Sequence, residues 1–234
     1  SAYLTEIGVF LLMVKQKLLE LLEKNELLKL FYDVELPLVQ VLIQMEKNGI
    51  FLDTGSLSDY SKYLTTELSV LEKIIYDKGG CQFNIASPKQ LGEVLFSKMK
   101  LIEKPKKTKS GQFSTSESEL LKLKGKHSII DDILLFRTYQ KLLTTYVNAL
   151  PLLIDSTDKK IHTTFNQTVT NTGRLSSKNP NLQNIPIRKI SGKDVRKAFI
   201  ASDSEHILMS ADYSQIELRL IAELSEENQM ISAF

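Results

Sequence analysis

The feature that most constrains the fold is a change of hydrophobic periodicity near the C-terminal end of the sequence. Residues 206–209 form an apolar run that predicts a buried strand. From residue 215 to 223 the apolar positions recur at helical spacing, which predicts a helix. Asp212 lies between the two, so a rigid strand would hold its carboxylate at the edge of a sheet. Such a carboxylate suits a metal ligand, but Asp212 or Ser214 could also simply cap the helix.

Most of the preceding sequence has the periodicity of helices. Thr54 is a candidate N-cap for the longest of them, and Ser87 with Gln90 has the pattern of a capping box. Residues 161–168 are rich in β-branched and aromatic side chains and predict a strand. We expect the first helix to face a core, because its apolar stripe is broad. The predicted helices span residues 4–31, 34–47, 54–78, 88–98, 117–124 and 128–148.

Composition describes an ordinary globular protein and excludes several kinds of site. Of the 234 residues, 42% are hydrophobic and 25% are charged, and the formal net charge is only +2. Any basic surface for nucleic acid must therefore come from local clustering. Cys81 is the one cysteine, which excludes an intrachain disulfide and a cysteine-rich zinc site. The sequence shows no export signal and no membrane span, so we expect a cytoplasmic protein.

Cations cluster in one loop and on one helix face. Six lysines lie between residues 98 and 109, in a stretch that Pro105 and Gly111 interrupt. This stretch is either a solvated surface loop or an electrostatic grip on phosphates. Arg137 and Lys141 are four residues apart on a predicted helix, so they share a face.

Three dense motifs occur in order along the chain. They read Thr-Gly-Arg-Leu-Ser-Ser at 172–177, Asn-Pro-Asn-Leu-Gln-Asn-Ile-Pro-Ile-Arg at 179–188 and Asp-Tyr-Ser-Gln-Ile-Glu-Leu-Arg at 212–219. Together they closely resemble the family A DNA polymerases, the bacterial DNA polymerase I type, from about residue 31 to residue 234.

The resemblance implies a mostly helical α+β fold, with polymerase thumb helices and a partial antiparallel palm sheet. Residues 1–30 would form a helix leading from the end of an exonuclease domain. Residues 31–160 would form the thumb and its connection to the palm. Residues 161–234 would form the N-terminal part of the palm, which carries the first catalytic motif.

The resemblance also implies a metal and nucleotide site in the third motif. Asp212 would be the catalytic carboxylate and would bridge two Mg²⁺ ions, and the main-chain carbonyl of Tyr213 would bind one of them. Both are the hard oxygen ligands that magnesium prefers. The incoming nucleotide would meet Tyr213, Ser214, Gln215 and Glu217.

Further residues are implied to bind DNA. Arg174 would reach minor-groove acceptors, which every base pair carries, although a structural arginine bridging loop carbonyls is the alternative. The amides of the second motif, Asn181, Gln183 and Asn184, would lie against the duplex, or some would tie the loop to itself. The backbone would also be bound by Arg137, Lys141, Lys104, Lys106 and Lys107, and two solvated cations remain the alternative for the pair on the helix.

The implied function is template-directed transfer of a dNTP to a primer 3′-hydroxyl, as in DNA replication and repair. The implied partners are primer-template DNA, dNTP, and the fingers and remaining palm of the same enzyme. The triphosphate-binding fingers helix and the motif with the second catalytic carboxylate are not found in this sequence, so we expect the chain alone to be inactive. The alternatives are a non-catalytic DNA-binding module derived from a polymerase, and an interaction protein that docks a partner through its N-terminal apolar helix.

Overall fold

A computed structural model describes residues 2–186 and 195–234 of the chain. The chain divides into two compact units, Ser1–Ile200 and Ala201–Phe234, each of which is described by itself. In the part that the structure describes, no helix combines the length and apolar character that a membrane crossing requires.

The first unit begins with helices whose apolar residues are largely exposed. Helix α1 (Ala2–Lys24) is followed by α2 (Leu28–Leu30), a π-helical turn (Phe31–Glu35) and α3 (Leu36–Asn48). The π-helical turn ends just before Pro37, which has no N–H to continue the α-helical bonding pattern, and the Leu36 N–H instead donates to the Phe31 carbonyl.

The prediction that the first helix faces a core is wrong for this structure. The side chains of Phe10 and Leu12 are 64% and 69% exposed, and neither hydrophobic core of the described residues includes a residue of α1. Periodicity identifies an apolar face correctly, but it does not identify the surface that covers that face.

Two long helices form the stalk of the first unit. Helix α4 (Thr54–Gly79) packs against α7 (Ile129–Leu142), which continues into a π-helical turn (Leu143–Val147). The predicted N-cap Thr54 is wrong by one residue, because the Ser56 N–H donates to Asp53 Oδ1 at 3.1 Å. The hydrogen bonds from Ser56 hold the pKa of the Asp53 carboxyl below its usual value.

Shorter elements pack at the end of the stalk where α4 ends, near Gly79, which we call the far end. The end where α4 begins, near Thr54, is the near end. The shorter elements are α5 (Pro88–Gly92), a π-helical segment (Glu93–Lys98) and α6 (Glu117–Leu121). Only half of the predicted capping box forms at α5. The Gln90 N–H donates to Ser87 Oγ at 3.5 Å, but Gln90 Oε1 accepts from the Asn84 N–H instead of closing the box.

Two hydrophobic cores share helix α4. The core at the far end includes Leu68, Leu71, Ile75, Leu91, Leu95, Ile130 and Ile133. The core at the near end includes Leu52, Leu57, Leu64, Leu142, Tyr146, Ile161 and Ile185. Helix α4 contributes apolar residues to both cores, so this one helix fixes the distance between them.

The near core is bordered by two small antiparallel sheets. Strand β1 (Ile50–Leu52) lies between β2 (Lys160–Ile161) and β5 (Phe199–Ile200), and β3 (Thr164–Asn166) pairs with β4 (Ser176–Lys178). Ile50 is opposite Ile161, and Phe165 is opposite Ser177. The predicted strand at 161–168 is therefore two strands, because the chain leaves one sheet after Ile161 and enters the other at Thr164. The predicted α+β class with a small antiparallel sheet is confirmed.

The second unit contains α8 (Ile216–Ser225) and α9 (Asn228–Ala233). The first of these confirms the helix predicted at 215–223. The predicted buried strand at 206–209 is wrong here, since Ile207 and Met209 are 87% and 85% exposed and no strand forms. A strand needs a hydrogen-bonded neighbour, and none of the residues in the two described ranges pairs with this segment.

Candidate nucleic-acid interface

The predicted basic loop is a short hairpin at the far end of the stalk. Lys107 pairs with Phe113, and the Ser114 N–H donates to the Lys106 carbonyl at 2.8 Å. Gly111 lies in the turn at a φ of +80°, which glycine adopts without strain. The side chains of Lys104, Lys106 and Lys107 are exposed, so the hairpin presents three ammonium groups to solvent.

One of these lysines already has an acidic neighbour. Lys106 Nζ lies 3.5 Å from Glu119 Oε1, and Lys122 Nζ lies 2.8 Å from the same oxygen. These two lysines, Lys122 foremost, hold the pKa of the Glu119 carboxyl below its usual value. Two cations share one carboxylate, so the local excess of positive charge remains.

Arg137 and Lys141 lie beside a cleft between α7 and the hairpin. The cleft has a volume of about 610 Å³, and its wall combines apolar residues, Phe113 and Phe136 among them, with polar and cationic ones. The polar and cationic residues include Thr108, Ser114, Ser116, Arg137, Gln140, Lys141 and Thr144. Lys141 is exposed, whereas Arg137 is half-buried and donates to the carbonyl and, at 3.1 Å, to the Oγ1 of Thr115. Burial lowers the pKa of the Arg137 guanidinium. Arg137 is therefore not the freely solvated cation that was one alternative.

The Thr-Gly-Arg motif forms an exposed turn before β4. Gly173 has a φ of +75°, a conformation that glycine adopts without strain. Thr170 Oγ1 donates to the Arg174 carbonyl at 2.5 Å, which closes the turn. The Arg174 side chain is exposed.

The amide-rich loop is partly tied to itself. Asn181 Oδ1 accepts from the N–H groups of Gln183 and Asn184 at 3.1 and 3.2 Å. The alternative that an amide holds its own loop is thus confirmed for Asn181. The side chains of Gln183 and Asn184 are exposed. Arg188, the last residue of the second motif, lies outside the described residues.

Three buried hydroxyl groups beneath this loop were not predicted as functional. They belong to Tyr146, Thr163 and Ser177, each at most 9% exposed. Their sequence signals differ: Ser177 lies in the first motif, Tyr146 in a predicted helix and Thr163 in a predicted strand. Only the folded chain shows that all three contact the loop at 178–184.

The third motif lies in the second unit, and it leaves the Asp212 side chain exposed. The capping alternative is wrong, because Gln215 precedes α8 at a φ of +52° and no side chain caps the helix there. Arg219 Nε donates to the Ser214 carbonyl at 3.0 Å, so this arginine ties the motif to the first turn of α8. Tyr213 is 81% exposed, and Ser214, Gln215 and Glu217 are also exposed.

The acidic residues of the described ranges do not form a complete metal site. No group of three or more histidine, cysteine, aspartate or glutamate side chains is close enough there to hold a metal ion. No cation of those residues forms an ion pair with Asp212 either. The exposed carboxylate of Asp212 and the Tyr213 carbonyl are suitable magnesium ligands, but they are only part of a ligand set.

Curated relatives of this chain share most of its length. DNA polymerase I of Synechocystis sp. is 48% identical over 216 residues, which are 92% of this chain and 22% of that protein. DNA polymerase I of Bacillus subtilis is 45% identical over 221 residues, which are 94% of this chain and 25% of that protein. The chain thus spans about a quarter of the length of the curated relatives it matches.

A solved structure and a family model agree with these relatives. The structure is the POL domain of Pol1 from M. smegmatis in complex with DNA primer-template and dNTP. It superposes with a TM-score of 0.82 at 41% identity, and the match covers 91% of this chain and 37% of that one. The model of DNA polymerase family A matches residues 54–234, well over half of the sequence. The chain therefore belongs to DNA polymerase family A.

Proposed function

We propose that this chain is the thumb and first palm portion of a DNA-directed DNA polymerase. The observation that carries the proposal is the Asp212 carboxylate, exposed within the family motif and not ion-paired with any cation of the described ranges. The proposed thumb and its connection span residues 31–160, and the proposed palm portion spans 161–234. Residues 1–30 would lead from an exonuclease domain. The proposed location is the cytoplasm, at the nucleoid if the source is bacterial.

Primer-template DNA and dNTP are the proposed partners, as they are in the complex of the M. smegmatis relative. The exposed hairpin lysines and Lys141 would neutralise backbone phosphates, and Arg137 would do so from the same cleft. Arg174, Asn181, Gln183 and Asn184 would contact the duplex near the primer end. Amide and guanidinium donors suit minor-groove acceptors, which do not depend on sequence.

The proposed cofactor is Mg²⁺, two ions in the complete active site. Asp212 and the Tyr213 carbonyl would hold them, and Tyr213, Ser214, Gln215 and Glu217 would border the nucleotide. When bound, the ions supply activation of the primer hydroxyl and charge stabilisation at the triphosphate. We expect the second catalytic carboxylate to come from the remaining palm, because the described residues contain no metal-binding cluster. These 234 residues alone should therefore bind DNA without extending a primer.

The test is a chimera in which these residues replace the matching segment of B. subtilis DNA polymerase I. Asp212→Ala should abolish magnesium-dependent primer extension and leave primer-template affinity within about twofold, because a metal ligand acts on the reaction more than on duplex binding. Asp203→Ala, which removes another exposed carboxylate of the second unit, is the matched control and should remain active.

Three results would contradict the proposal. Extension by the Asp212→Ala chimera would show that this carboxylate is not catalytic. Primer extension by the 234-residue chain alone would refute its incompleteness. Failure of the chain to bind primer-template DNA would remove the thumb assignment.

A further inference from the structure

Ser177 forms hydrogen bonds to the backbone of the amide-rich loop, residues 178–184. Its side chain lies on β4 and is 4% exposed. The hydroxyl oxygen accepts from the N–H groups of Leu182 and Gln183 at 3.1 and 3.3 Å, and the hydroxyl donates to Asn181 Oδ1 at 3.3 Å. One buried hydroxyl therefore fixes the backbone at Gln183 and the side chain that fixes Asn184.

Thr163 and Tyr146 hold the two ends of the same loop. Thr163 Oγ1 lies 2.7 Å from the Pro180 carbonyl and 3.2 Å from the Lys178 carbonyl, within donating distance of both. The Tyr146 hydroxyl donates to the Asn184 carbonyl at 2.6 Å. Burial raises the pKa of the Tyr146 hydroxyl. We call Tyr146, Thr163 and Ser177 the hydroxyl tether.

The three members of the hydroxyl tether come from different elements. Tyr146 lies in the π-helical turn that extends α7, Thr163 lies between β2 and β3, and Ser177 lies in β4. Ile185, which is 5% exposed, then anchors the end of the loop in the near core. The loop backbone is thus fixed to the π-helical turn after α7, to the segment between β2 and β3, and to β4. The side chains of Gln183 and Asn184 remain exposed.

These contacts restrict the backbone of a surface loop at three places. Loops are usually mobile, and a polar contact to a base edge requires its donor to be held within about 0.5 Å of its place. A backbone with a buried partner at each end and in the middle loses little entropy when its exposed amides bind a ligand.

We propose that the hydroxyl tether is a positioning device, which holds Gln183 and Asn184 ready to donate to the minor groove of the primer-template duplex. The proposal rests on the proposed function, because it assumes that this face binds duplex DNA. The three residues of the hydroxyl tether would not contact DNA themselves, but they would set the affinity of the two amide side chains that do. Through Tyr146, the hydroxyl tether also links the position of the stalk helix to that of the loop.

The experiment measures the affinity of the 234-residue chain for a fluorescent primer-template duplex by anisotropy, for variants that circular dichroism shows to be folded. Tyr146→Phe removes one hydroxyl without changing shape and should weaken binding about fivefold, since the loop loses a buried hydrogen bond. Tyr32→Phe is the matched control, because that tyrosine is 49% exposed, and its affinity should not change.

A double-mutant cycle separates positioning from general stability. In a chain that carries Gln183→Ala and Asn184→Ala, Tyr146→Phe should cause almost no further loss, because no positioned amides remain. Ser177→Ala and Thr163→Val should behave in the same way and should speed hydrogen exchange of the Leu182 and Gln183 amides. If one of the three variants fails to fold, the other two decide the test.

The results distinguish a failure of the proposed function from a failure of the hydroxyl tether. If the parent chain does not bind the duplex, the proposed function and the hydroxyl tether both fall. If the parent binds and Tyr146→Phe leaves affinity unchanged, the tether alone is refuted. It is also refuted if the loss is equally large with and without the two amides, since the hydroxyl then acts on something other than their position.

Discussion

Replacing Lys104, Lys106 and Lys107 with alanine tests whether the hairpin binds phosphates. All three side chains are exposed at the far end of the stalk. Lysines of this kind contribute affinity mainly by releasing counterions from DNA, so the salt dependence of binding reports their number more directly than affinity at one salt concentration does.

The surroundings of the three lysines set the expected change in the salt dependence of binding. Each phosphate contact on duplex DNA adds about 0.9 to the slope of log K against log salt, so three contacts correspond to about 2.7. Lys106 lies 3.5 Å from a glutamate oxygen that it shares with Lys122, so its charge is partly neutralised before DNA arrives. We therefore expect the slope to fall by about 2.5. Between about 50 and 200 mM salt, the affinity of the variant should then decrease about 30-fold less than that of the parent.

The assay is a titration of primer-template DNA by anisotropy at four or more salt concentrations. The matched control replaces Lys15, Lys24 and Lys29, three exposed lysines of the N-terminal helices. Both variants change the formal net charge from +2 to −1, since each removes three positive charges. Only the hairpin variant should change the slope. Equal slopes in all three proteins would show that the hairpin is ordinary solvated surface.

Two further predictions concern the junction between α3 and β1. An alanine at position 49 would place its Cβ 2.6 Å from His162 Cε1, at a φ of +56° and a ψ of −169° that favour glycine. Gly49→Ala should therefore lower the free energy of unfolding in urea by about 2 to 4 kcal/mol, whereas Gly8→Ala, in open space on α1, should raise it by up to about 1 kcal/mol. If Gly49→Ala leaves the free energy of unfolding unchanged, the expected strain at this position is refuted. Hydrogen bonds to the Glu46 carbonyl and to the Asp158 carboxylate raise the pKa of His162 above 6.5. The folded state then binds the proton more tightly, so this stabilisation is present below about pH 6.5 and is lost as the pH rises through the raised pKa. Urea unfolding between about pH 6 and 8 should show this fall in the parent but not in His162→Gln, and identical profiles would rule it out.

Two errors of sequence interpretation, both about burial, share one cause. The first helix and the 206–209 segment are apolar, and both were expected to be buried, yet both are largely exposed. Hydrophobic pattern reports what a segment would bury, whereas burial itself requires a second surface. Capping was misjudged for another reason: Asp53, not Thr54, accepts the Ser56 N–H of α4, because backbone geometry selects between neighbouring candidates.

The sequence by itself determined the helices, the α+β class and the polymerase motifs, because periodicity and residue type are local properties of the chain. It also placed Arg174 and Gln183 on polar segments, and both are exposed in the structure. It placed Asp212 at the edge of a sheet, whereas the structure has this residue exposed but outside any strand. Only the tertiary structure showed that Arg137 is half-buried against Thr115 and that Asn181 holds its own loop. The hydroxyl tether likewise required the fold, because Tyr146 and Asn184 are 38 residues apart and meet only in the folded chain.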